Sequence, residues 1–125
     1  MSKIIDGKKI SLEVKETLKK EVGLLEVKPT LVVISVGNDP ASKVYVRQKE
    51  KCAKYVGINY IHLNYDKIDE ESLLKKIDEL NNDKSINGII VQLPLPDYLD
   101  SVKIVNSISP EKDVDGLTYI NAGRL

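Results

Sequence analysis

Two short runs of β-branched and aliphatic residues constrain this chain more than any other feature. They are Thr30 to Val36 (TLVVISV) and Gly88 to Leu93 (GIIVQL). A strand with one face in water alternates polar and apolar residues, whereas runs that stay apolar belong to strands covered on both faces, as in parallel sheets. Helical signals stand between them. Asp39 sits where an N-cap belongs and Pro40 at the first helical position, opening a helix over 40–56 that Gly57 stops. Residues 58–65 alternate well enough for another strand, and Leu73, Leu74, Ile77 and Leu80 mark one side of a charged helix over 69–80. Pro94 and Pro96 end the GIIVQL strand. Ahead of all this, Ile10, Val14, Leu18, Val22 and Leu25 recur at helical spacing, predicting an amphipathic helix over 8–26. A short helix over 99–105 and the loop SPEKDVDG follow. Residues 119–125 read as the start of a helix cut short, so the chain is expected to be a piece of a larger protein. Apolar strands alternating with helices imply an α/β fold with a parallel sheet covered on both faces.

Composition narrows the function. The chain of 125 residues is one domain's worth, with 19 Lys plus Arg against 19 Asp plus Glu. A net charge of zero supplies no basic field for nucleic acid or anionic membrane. Cys52 is the only cysteine and His62 the only histidine, which excludes a disulfide scaffold and a Cys/His zinc site. No apolar run approaches the ~20 residues of a membrane span, and Lys3 and Asp6 spoil a signal peptide. The expectation is a soluble, cytoplasmic protein with no metal site.

In open parallel sheets, ligand chemistry gathers beyond the carboxyl ends of the strands. On the 40–56 helix, Lys43, Arg47, Glu50, Lys51 and Lys54 share one side and read as a solvated face. Lys49 alone points to the apolar side, leaning back toward the strand ends. Tyr45 stands four residues earlier, close enough to touch it. An amine held there is short of water and can be oriented by the phenol, which are the conditions of a general acid or base. The equal alternative is a lysine whose stem covers apolar surface while its ammonium reaches water. The Tyr-x-x-x-Lys pair also occurs in short-chain dehydrogenases, but the seven glycines form neither a G-x-G-x-x-G nor a P-loop.

Gln92 is a polar side chain in an apolar strand. A buried amide needs a partner, and Lys49, a ligand or loop backbone are the alternatives. The prolines of QLPLP make the exit from the sheet, Leu93 and Pro94 included, a rigid wall. In DVDG, a calcium loop fails because its twelfth position is Ala122 where a bidentate Glu is needed. Two readings of this loop remain. One is a polar turn with Gly116 at positive φ, and the other is a carboxylate binding an amino-bearing heterocycle. His62 reads as an alternating strand residue and Cys52 as core.

Together, GNDPASKVYVRQK, GIIVQLPLP and SPEKDVDG, in that order and spacing, resemble the N-terminal domain of the bifunctional methylenetetrahydrofolate dehydrogenase/cyclohydrolase family. The likeness extends from IIDGKKI at 4–10 to INAGRL at 120–125. It implies a three-layer α/β/α sandwich with a mainly parallel sheet, residues 1–125 being a tetrahydrofolate-binding catalytic domain whose NADP-binding Rossmann partner is absent. It implies oxidation of methylene-tetrahydrofolate with NADP, then hydrolysis to formyl-tetrahydrofolate, in a homodimer serving one-carbon metabolism and purine biosynthesis. By resemblance Lys49, Tyr45 and Gln92 are catalytic. Substrate binding falls to these three with Leu93, Pro94 and Asp115, while Asp113 supports its loop. A phosphoacceptor receiver domain has similar length and alternation, but it wants an acidic residue where Gln92 stands. The remaining alternative is a catalytically silent folate-binding or dimerisation fragment.

Overall fold

The computed structural model describes residues 7–123, so the Ile4–Asp6 part of the first motif and Arg124–Leu125 of the last lie outside it. The elements run α1 (Gly7–Gly23), β1 (Thr30–Val36), α2 (Pro40–Val56), β2 (Asn59–Tyr65), α3 (Glu70–Asn81), β3 (Gly88–Val91), α4 (Ser101–Asn106) and α5 (Tyr119–Gly123). The strands form one parallel sheet in the order β2-β1-β3. The most apolar run thus takes the centre, where Val32, Val33 and Ile34 are fully buried.

Alternation along the strands sorts side chains to two faces. Val32, Ile34, Val36, Ile89 and Val91 point to a large core closed by α3, α4 and the loops around them. Val33 and Ile90 point the other way, against Val46 of α2. Helices thus cover both faces, giving the three-layer α/β/α arrangement. By parity, Ser35 and Gln92 fall on the α2 face. β2 is registered so that Val33 pairs with His62 and Ser35 with Asn64.

The predicted ends of α2 are the observed ones. Asp39 has extended backbone and its carboxylate accepts the Ser42 N–H at 2.9 Å, while Gly57, at φ 90°, closes the helix with its N–H on the Ala53 carbonyl. That left-handed conformation is what glycine permits without a Cβ clash. Asp69 and Asp100 cap α3 and α4 in the same way.

Three expectations change. α1 ends at Gly23, not 26. Its periodic residues do not form a core: Val22 is buried, but Ile10, Val14, Leu18 and Leu25 stay 43–52% exposed. The helix leans on α2 through a different side, with the Lys19 ammonium 4.9 Å from the Tyr55 ring centre. Periodicity announces an apolar face without saying what covers it. Finally, β3 stops at Val91, so Gln92 lies just past the strand, although its N–H still donates to the Ile34 carbonyl at 2.8 Å. No described helix is long and apolar enough to cross a membrane.

The larger core should carry most of the stability. Ile77→Ala, at a fully buried position of α3, is expected to cost about 2–5 kcal/mol in a urea unfolding titration. A cost below about 1 kcal/mol would show that α3 does not close this core.

Candidate functional site

The carboxyl ends of β1 and β3 adjoin the first turns of α2, and the sorting of side chains brings Lys49 of α2 over Gln92. Their contact is short, with Lys49 Nζ donating to Gln92 Oε1 at 2.6 Å. Gln92 is nine-tenths buried, and its amide nitrogen donates to the Leu93 carbonyl at 3.3 Å. The same carbonyl accepts from Ser42 Oγ at 3.3 Å, tying the strand exit to the start of α2. Lys49 is half-buried. Its amine is therefore aimed at the strand ends by a buried acceptor, in a place that limits water, where a charge-assisted bond is stronger than a neutral one. Of the partners open to Gln92, the structure shows two, Lys49 on its carbonyl oxygen and the loop backbone on its amide nitrogen.

Tyr45 lies one turn ahead of Lys49 and is 55% exposed. Among the described residues no hydrogen bond joins its hydroxyl to Lys49, so the orienting contact belongs to Gln92 and Tyr45 presents an open ring. Leu93 and Pro94 are exposed beside Gln92.

The DVDG loop comes alongside β3, where the Ile89 N–H donates to the Lys112 carbonyl at 2.8 Å. Asp113 is buried, and its carboxylate accepts from Leu117 N–H at 3.3 Å, Thr118 N–H at 2.9 Å and Asn121 Nδ2 at 3.0 Å. Gly116 turns the chain at φ 69°. Asp115, two residues on from Asp113, is exposed, and no hydrogen bond to its carboxylate occurs among the described residues. One carboxylate builds the loop and the other stands exposed.

Sequence reasoning missed several participants. Thr118 and Asn121 lie beyond the motif, and nothing marks them as partners of Asp113. Ser42 looks like an ordinary first-turn serine. Lys43, Arg47 and Glu50, expected to be simply solvated, line a cavity with His62 on the β2 side of α2. Cys52, expected in the core, is half-buried near α1, beside Leu12 and Tyr55.

Burial pushes the Asp113 carboxyl upward, but the bonds from Thr118, Asn121 and Leu117 outweigh it and hold the group below its ordinary value. The fold thus favours the ionised form. Its stabilisation is complete above the unfolded-state value near ~4 and is lost as pH falls through the lower native value. Asp113→Asn should therefore flatten the loss of urea stability on acidification below about pH 4. Parallel pH profiles for the two proteins would remove Asp113 from that role.

The family described as "Tetrahydrofolate dehydrogenase/cyclohydrolase, catalytic domain" matches residues 5–115. A relative from Halothermothrix orenii, "Bifunctional protein FolD", is 49% identical over 100% of this chain and 46% of its own length. The structure of a 5,10-methylenetetrahydrofolate dehydrogenase from the silkworm Bombyx mori superposes with TM-score 0.92 at 45% identity, over 99% of this chain and 44% of that one. The Trypanosoma brucei methylenetetrahydrofolate dehydrogenase-cyclohydrolase, solved with NADP cofactor and inhibitor, superposes with TM-score 0.91 at 33% identity, over 98% and 43%. The chain spans about half the length of the curated relatives it matches. With a family match over most of its residues and the same backbone as these enzymes, the chain belongs to the tetrahydrofolate dehydrogenase/cyclohydrolase family, in the part that forms the catalytic domain.

Proposed function

We propose that this chain supplies the folate site and the proton-transferring lysine of a methylenetetrahydrofolate dehydrogenase/methenyltetrahydrofolate cyclohydrolase. The observation that carries the reading is the 2.6 Å contact by which buried Gln92 aims the Lys49 amine at the strand ends.

In the hydrolytic step, water bonds to the methenyl carbon and gives up a proton. The carbon–N5 bond of the resulting carbinolamine then breaks as its hydroxyl becomes the formyl C=O and releases its proton to solvent, and N5 takes a proton, so that formyl-tetrahydrofolate forms with the net release of one proton. Lys49 would accept the first proton and return one to N5, held throughout by Gln92. Asp115 would accept hydrogen bonds from the pterin's amino and ring N–H groups. Tyr45 would pack against the pterin, and Leu93 and Pro94 would wall it in. The oxidative step passes a hydride to NADP, which accepts it at the nicotinamide. These 125 residues contain no glycine-rich phosphate loop and so do not fit that cofactor. We place NADP on a further domain of the protein, in keeping with the greater length of the relatives. In the same reading the protein is a cytoplasmic homodimer whose product feeds purine synthesis. The relatives' length also keeps a second reading in view, a catalytically silent folate-binding or dimerisation unit.

Two measurements test this assignment. Lys49→Met should slow methenyl-tetrahydrofolate hydrolysis, followed by absorbance, by ~10²–10⁴-fold while folate binding persists. Hydrolysis within a few-fold of the unsubstituted protein would overturn the role of Lys49. Folate binding with no hydrolysis even by the unsubstituted chain would select the silent reading. Asp115→Ala should weaken folate-analogue binding in calorimetry by about one to two orders of magnitude, the worth of a charged hydrogen bond. Unchanged affinity would return Asp115 to a turn residue.

A further inference from the structure

The chain from Asp113 to Thr118 doubles back on itself. Gly116 N–H donates to the Asp113 carbonyl at 3.2 Å, and the two oxygens of the Asp113 carboxylate receive Leu117 N–H and Thr118 N–H separately. Asp115 stands at the tip of this closed turn and, with Leu117, lines a narrow crevice against Val91 of β3. The tip is thus carried on the flank of the strand whose exit bears Gln92. No bond among the described residues confines the Asp115 carboxylate, so its place is set by how the turn beneath it is held.

Two attachments hold it. On one side, Ile89 N–H of β3 fixes the backbone at the Lys112 carbonyl. On the other, the carboxylate of Asp113 is gripped, but Leu117 and Thr118 belong to the turn and travel with it. Asn121 does not. Its Nδ2 donates to Asp113 Oδ2 at 3.0 Å and to the Pro110 carbonyl at 2.9 Å, joining the turn to the head of the SPEKDVDG loop. Both hydrogens of that amide nitrogen are thereby used. Asn121 is itself set by the start of α5, where its N–H donates to Oγ1 of the buried Thr118 at 3.3 Å. Tyr119 N–H, on Asn106 Oδ1 at 2.7 Å, ties that start to the end of α4.

We infer that Asn121 is a positioning residue for pterin recognition: through Asp113 it fixes the Asp115 carboxylate where an amino-bearing ring edge meets it, without touching the ligand itself. The inference rests on the folate reading above. Without the Asn121 amide, Asp113 Oδ2 keeps only the Thr118 N–H and the Pro110 carbonyl loses this tie to the turn. The turn is then free to swing about its attachment to β3. Freedom gained at the tip must be surrendered when the ligand binds, and affinity falls accordingly. The effect has a ceiling, the affinity that Asp115 itself supplies.

Calorimetric titration of the chain with tetrahydrofolate, run as a double-mutant cycle, tests this. Asn121→Ala should weaken binding on the order of ten-fold, no more than Asp115→Ala does, and should cost almost nothing further when added to Asp115→Ala. The loss from Asn121→Ala should also shrink for 2-desaminotetrahydrofolate, which offers Asp115 one donor fewer, whereas a merely structural role would weaken both ligands alike. If Asn121→Ala loses its circular dichroism, Asn121→Ser, whose shorter donor cannot span both acceptors, carries the same cycle. Unchanged affinity overturns the positioning role and leaves the folate reading standing. So does an equal loss with and without Asp115, or an equal loss for both ligands. No binding of either ligand by the unsubstituted chain overturns both.

Discussion

Strand β1 has a neighbouring strand on each edge and a helix layer on each face, so an unpaired polar group anywhere along it would be costly. Its one interior polar residue, Ser35, is accordingly tied to His62 and Asn64. The same constraint acts on the exit of β3, where Gln92 is buried and both ends of its amide are used. Because parity sends Ser35 and Gln92 to the face of α2, the polar chemistry of the sheet collects under one helix. The opposite face, packed by α3 and α4, is left as an apolar core.

That division explains why Lys49 carries the account. An amine on the underside of α2 meets the buried Gln92 carbonyl oxygen and donates to it. Its position is fixed by the capping of α2 and by the Ser42 bond to the Leu93 carbonyl, which holds the first turn of the helix to the strand exit. The DVDG loop is fixed separately, by the bonds gathered on Asp113. Two independently anchored pieces, one bearing an amine and one a free carboxylate, suit a substrate that presents a reacting carbon at one place and an amino-bearing ring edge at another.

Much of this was legible in the sequence because it rests on local rules. Asp39, Pro40 and Gly57 set the limits of α2 through backbone geometry alone, and the β-branched runs announce buried strands. Gly116 at positive φ follows from turn chemistry. Lys49 stands out because one charge on an apolar side breaks the pattern of its helix. What stayed hidden depends on which elements meet. The helical period of α1 could not reveal that Ile10, Val14 and Leu18 remain exposed. Lys43 and Arg47 are exposed, as their side of the helix implies, but only the placing of β2 beside β1 shows that they line a cavity with His62 and Asn64. The bond from Asn121 to Asp113 joins residues that no spacing rule connects.

In the proposed function the reacting end of a folate would lie between the Lys49–Gln92 pair and Asp115. A crystal structure of the chain with a non-hydrolysable tetrahydrofolate analogue measures this directly. The account predicts N5 or N10 of the analogue within hydrogen-bond reach of Lys49 Nζ, with the pterin amino group on the Asp115 carboxylate. An analogue bound elsewhere, or with its pterin turned away from both residues, would contradict it.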